Sequence, residues 1–188
     1  GTLQDIGLDQ RLVYDRTVAN SLKPETAERD TGKITLSFED GQVPQAKLKF
    51  TQGEKYRNLG VFPASVGNPI IMYFVETVVR DMAESAGGSP FYIRNRVKEA
   101  LVEPAEISKG KAIIAGKTIE TVDVTIHPFK GDPNIESMKG FGQLALTVSM
   151  SDEVPGWYLV LGALAAGADG GEPVYSSIMT FDQMGSAE

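Results

Sequence analysis

Cysteine is absent from this 188-residue chain, and histidine and tryptophan each occur once. Without thiols there are no disulfides, zinc–thiolate sites, iron–sulfur clusters or cysteine nucleophiles. A single imidazole, His127, excludes any metal site that needs two. A basic excess is missing too. Eighteen lysines and arginines stand against 25 acids, for a net charge of −7, the opposite of a nucleic-acid-binding footprint. No apolar run reaches the ~18 residues of a membrane-spanning helix. What is there is ordinary globular composition, 41% hydrophobic and 23% charged. The net charge falls entirely in residues 102–188, where the acids outnumber the bases. No acidic block there exceeds two residues, so the excess reads as a solvated surface.

The chain opens Gly1-Thr2-Leu3, without methionine. Gly1 reads as a remnant of tag cleavage. A start lost upstream is what a removed signal peptide leaves, so the expected location is periplasmic.

Three regions follow, expected to form one domain over 2–188: strands over 10–62, a helical hairpin over 69–101 and strands over 103–182. In the first, Ile34, Leu36 and Phe38 alternate with polar residues, as do Ala46, Leu48 and Phe50. Asp40-Gly41 between them signals a turn, and Tyr56 to Phe62 a further strand. In the second, Asn68 and Ser89 stand as N-caps, each followed by proline at a first helical position. Ile71, Phe74, Val75, Val78, Val79 and Met82 then form one broad apolar face. Gly87-Gly88 separates the two helices, and Glu103-Pro104 stops the second. In the third, Glu120, Val122, Val124 and Ile126 fall on one strand face. Leu144 to Met150, Trp157 to Leu161 and Tyr175 to Phe181 read as strands, and glycine-rich Gly162 to Pro173 as a loop. Helices grouped between antiparallel-looking strands predict an α+β fold: a curved, mainly antiparallel sheet wrapped around a central helical hairpin.

Chemical motifs are sparse. Gly140-Phe141-Gly142 lacks the third glycine of a dinucleotide fingerprint and precedes a strand. No P-loop occurs, and no cofactor is expected. The Gly87-Gly88-Ser89-Pro90 turn, with Arg94 and Arg96 behind it, presents a helix N-terminus that can hold an anion; the plainer reading is a capped helix with solvated arginines. There is no G-x-S-x-G, and Asp123 lies about 13 Å from His127 along the same strand. Asp132, Asn134 and Glu136 alternate as oxygen ligands but lack the glycine and distal glutamate of a calcium loop. An enzyme alternative survives only as a hydrolase using His127 and carboxylates around Asp152.

A sheet wrapped around helices leaves an apolar crevice between them, the usual setting for a lipid-like ligand. Phe62, Phe74, Met82, Phe91, Tyr92, Trp157 and Tyr158 either line it or are core, and Arg94 and Arg96 complete the candidate ligand-binding set. The leading expectation is therefore a non-enzymatic binding or envelope-maintenance protein. Its partner would be an apolar small molecule or lipid, a second copy, or an envelope protein.

The stretch Gly67 to Glu76, then Gly87-Gly88 and Phe91 to Arg96, resembles exported Gram-negative bacterial proteins of unknown function. Gly142-Gln143-Leu144 and the run from Ser151 to Tyr158 are similar to the same group. The resemblance implies a periplasmic setting and no activity. A looser likeness, of architecture only, is to the half-barrels of periplasmic lipoprotein carriers, in which helices plug a curved sheet around an apolar cavity.

Overall fold

The computed structural model describes residues 1–39, 42–167 and 171–186. Among these, nine strands and three α-helices form an α+β fold built on one open, curved antiparallel sheet. The strands are β1 (Gln10–Asn20), β2 (Gly32–Glu39), β3 (Gln45–Gln52), β4 (Lys55–Pro63), β5 (Glu106–Ile114), β6 (Lys117–Ile126), β7 (Leu144–Met150), β8 (Tyr158–Ala165) and β9 (Tyr175–Ser186). The helices are α1 (Pro24–Asp30), α2 (Ile70–Ala86) and α3 (Pro90–Ala100). The expected Asp40-Gly41 turn lies outside the described residues.

The strand order is β4-β3-β2-β1-β9-β8-β7-β6-β5. β1 to β4 step outward to one edge, α2 and α3 carry the chain across, and β5 to β9 step back to the centre. Register shifts between Val13 and Tyr14, Leu48 and Lys49, and Ser149 and Met150 interrupt the ladder, and such bulges bend a strand. Alternation then decides what faces inward. Leu12, Tyr14, Arg16 and Val18 of β1, Ile34 and Leu36 of β2, Leu161 and Ala163 of β8, and Tyr175 to Phe181 in steps of two on β9 are all buried. The apolar ones share a cluster with Phe74, Val78 and Met82 of α2 and Ile93 and Val97 of α3, so the hairpin packs on the sheet's inner face. The buried stripe of α2, Ile70, Phe74, Val78, Asp81, Met82 and Ser85, keeps helical spacing.

Four expectations change. α1 was not expected; its seven residues bury only Thr26, Ala27 and Asp30, too little to give a periodic signal. β5 was not expected either, because it is exposed along nearly its whole length. The Gly162 to Pro173 loop is shorter at its start: Gly162 to Ala165 belongs to β8, where Ala163 and Ala165 pack tightly in the core. Residues 168–170 of that segment lie outside the described residues. Finally, β6 has no single apolar face. Val124 and Ile126 are half-buried and pair with Val148 and Leu146, but Val122 and Glu120 are exposed. Toward the hairpin tip burial passes to the opposite face, at Ile119 and Thr121, as a twisting strand that outruns its neighbours allows.

Candidate functional site

An apolar crevice lies where β4 hands over to α2. Phe62 and Pro63 end the strand, a single 3₁₀ turn (Ala64–Val66) follows, and Asn68 fixes the helix start. The Asn68 side chain is buried and makes three contacts. Its Oδ1 accepts from the Ile70 N–H at 3.1 Å, which is the capping role expected of it. Its Nδ2 donates to the Tyr14 hydroxyl at 3.0 Å and to the Gly156 carbonyl at 3.0 Å. The helix start is thereby tied to β1 and to the turn before β8. Gly156, at φ 76, is required there: a Cβ would come within 2.7 Å of both Asn68 Nδ2 and Leu12 Cδ1.

Between these elements is a space of about 460 Å³, lined by Phe62, Pro63, Val66, Ile71, Met72 and Tyr158. Its lining side chains include no carboxylate and no imidazole. Burial pushes the pKa of the Tyr158 hydroxyl up, and that of Tyr14 further, so both phenols stay neutral. Chemically the space offers apolar contact, with the Tyr158 phenol, the Asn68 amide, Thr2 and the amino-terminal Gly1 at its margin.

The nine expected ligand residues do not converge on it. Phe62 and Tyr158 line it. Phe74 and Met82 are core, 2% and 1% exposed. Met82 also floors a second crevice of about 460 Å³ at the Gly87-Gly88-Ser89 turn, with Tyr92, Ile93 and Met138. Tyr92 donates its hydroxyl to Asp132 at 2.7 Å, and Arg96 pairs with Asp132 at 2.9 Å and Glu99 at 2.6 Å. Arg94 is engaged by Glu76 through two bonds of 2.7 Å. Both arginines are thus committed to carboxylates and not held out for an anion at the start of α3. Phe91 is exposed, and Trp157 borders a third crevice with Val122, Met150 and Asp152.

His127 and Asp152, which the hydrolase alternative needs together, do not converge. His127 Nε2 lies 3.4 Å from Glu106 Oε1. It follows Ile126, which pairs with Leu146, so Asp152 is displaced from it by the length of β7. At ~3.3 Å per residue that is about 20 Å, far beyond a water-bridged contact. The Asp132 to Glu136 run is an internal turn, with the Asn134 N–H donating to Asp132 Oδ1 at 2.8 Å. Among the described residues no cluster of three or more His, Asp or Glu is placed to hold a metal.

Sequence reasoning missed the charge buried under the other half of α2. Arg16 is 1% exposed. Its Nε donates to Ser177 Oγ and its Nη2 to Asp81 Oδ2, each at 3.2 Å, while Nη1 has no hydrogen-bond partner among the described residues. The Tyr175 hydroxyl donates to Asp81 Oδ2 at 2.8 Å, and Arg80 donates to Asp81 Oδ1 at 2.8 Å and to Asp30 Oδ2 at 2.6 Å. Asp30, wholly buried, also takes Arg29 at 2.8 Å and Arg57 at 2.7 Å. Burial raises the Asp30 pKa, but hydrogen bonds from Arg29 and Arg57 and the charges of Arg80 and Arg16 outweigh it, holding the carboxyl below its ordinary value. The signal was present: arginine at an inward position of β1 and aspartate within the apolar stripe of α2.

No family model matches the chain, and no curated protein matches it. Among solved structures, the crystal structure of the Mycobacterium tuberculosis lipoprotein LppX is similar, at 12% identity and a TM-score of 0.35, over 95% of this chain and 87% of that one. A beta-barrel-like protein of domain of unknown function DUF1849 from Brucella abortus is similar at 9% identity and a TM-score of 0.24, over 95% and 98% of the two chains. Both likenesses are loose. No helix among the described residues is long and apolar enough to cross a membrane.

Proposed function

We propose that this chain is a non-enzymatic binding protein of the bacterial periplasm, serving envelope maintenance, that takes an apolar or lipid-like ligand at the start of α2. The observation that carries the reading is the crevice bounded by Phe62, Ile71, Met72 and Tyr158. Its volume, about 460 Å³, falls in the range of small-molecule sites, and its lining is dominated by apolar side chains. An acyl or other hydrocarbon chain suits such walls, with the Tyr158 hydroxyl left for a polar end. The periplasmic part rests on the resemblance to exported proteins.

Native mass spectrometry of the purified protein, before and after extraction with organic solvent, tests the reading together with displacement of a fluorescent fatty acid. A mass adduct removed by solvent and saturable probe binding are expected. Met72 is 62% exposed, so Met72→Glu leaves the fold intact. It weakens the probe by about fivefold or more, since covering the exposed part of one methionine side chain is worth about 1–2 kcal/mol. An unliganded mass with no probe binding refutes the proposal.

A further inference from the structure

The two edges of the open sheet are unlike. β4 is broken by a register shift, carries Gly60 at φ 146 and ends in Pro63, all devices that blunt an edge. β5 has none of these. It pairs with β6 through nine consecutive residues without a shift and has no strand on its other side. Exposed apolar residues also concentrate here: Leu101 and Val102 just before it, and Ile107 and Ile113 within it, the last two 70% and 75% exposed. Alternation puts Ile107, Lys109, Lys111 and Ile113 on one face. Lys111 lies 3.2 Å from Glu120 in a solvated pair, and Lys109 makes no ion pair among the described residues. In a chain of net charge −7 this is a regular, unpaired edge with apolar ends and two central lysines, which discourage like strands from pairing and leave an acidic strand as the complementary one.

We propose that β5 docks an extended segment of a protein partner, adding a strand whose acidic residues face Lys109 and Lys111 and whose apolar residues face Ile107 and Ile113. Main-chain hydrogen bonds to the free edge supply affinity, and the alternating side chains supply register. A second copy of this chain fits poorly in the register that pairs the most residues of β5. An antiparallel self-pair centred on Gly110 would set Lys109 opposite Lys111 twice, and like charges across a ladder repel.

The probe is a fluorescein-labelled peptide, Ile-Thr-Glu-Thr-Glu-Thr-Ile, titrated into the intact protein and followed by anisotropy and amide hydrogen exchange. Saturable binding with slowed exchange over 106–114 is expected. Lys109→Glu with Lys111→Glu, both at exposed positions, weakens it by about tenfold or more, as attractive cross-strand pairs become repulsive. N-methylation of alternate peptide residues keeps the charges and removes one row of donors, and one of the two alternations abolishes binding. The proposal is overturned if both methylated peptides bind like the parent, if protection falls outside β5, or if nothing saturates at millimolar peptide. A concentration-dependent dimer in sedimentation that Ile107→Lys dissolves would assign the edge to a second copy and overturn it equally.

Discussion

α2 meets the sheet differently at its two ends. At its start the contact is an oily space rimmed by Phe62, Met72 and Tyr158, with one amide, Asn68, tying helix to strand. Toward its end the contact is ionic: Asp81 is held by Arg16, Arg80 and Tyr175, and Arg80 leads on to Asp30. Apolar contact adapts to what it touches, whereas a buried ion pair demands its partner in place. The helix is therefore held by paired buried charges at one end and by a single capping amide beside an apolar space at the other.

The sharpest way to break this contrast is Asp81→Ala, which strands the Arg16 guanidinium without its counter-charge. It is expected to cost about 3–5 kcal/mol in urea unfolding, while Arg16→Met combined with Asp81→Leu recovers most of that. At the other end Asn68→Ala removes the helix cap and unpairs the Tyr14 hydroxyl and the Gly156 carbonyl; about 1–3 kcal/mol is expected. A cost equal to that of Asp81→Ala would erase the distinction. The smallest effect is on the acid limb of stability. Asp30 has its folded pKa depressed, so its contribution is complete above the ordinary aspartate value of about 3.9 and is lost as pH falls through the lower folded value. Asp30→Asn should flatten the stability curve below about pH 4, and an unchanged slope would place the acid sensitivity elsewhere.

Much of the scaffold was legible because it obeys simple periods. Ile34 to Phe38, Ala46 to Phe50, Leu144 to Val148 and Tyr175 to Phe181 alternate cleanly, and the two caps with their prolines announce the helical hairpin. The elements that escaped, α1 and β5, bury too little for a period to emerge. Of the nine candidate residues, Phe62 and Tyr158 border the crevice before α2. Their partners Ile71 and Met72 read as ordinary helix, and Val66 as a loop residue. The ionic cluster escaped for another reason. Arginine and aspartate in a sequence read as surface, and only the pairing of β1 with β9 beneath α2 makes Arg16 and Asp81 interior.

That same central pairing joins residues 10–20 to residues 175–186, nearly the whole chain apart. Closing so long a loop is entropically slow, and the sheet cannot be completed until the last strand has been made. Each half can zip locally, β1 through β4 and β5 through β8, as hairpins between sequence neighbours. The middle of the sheet is then the final seam, so a chain cut before Tyr175 is left with two four-stranded ribbons and no strand to join them.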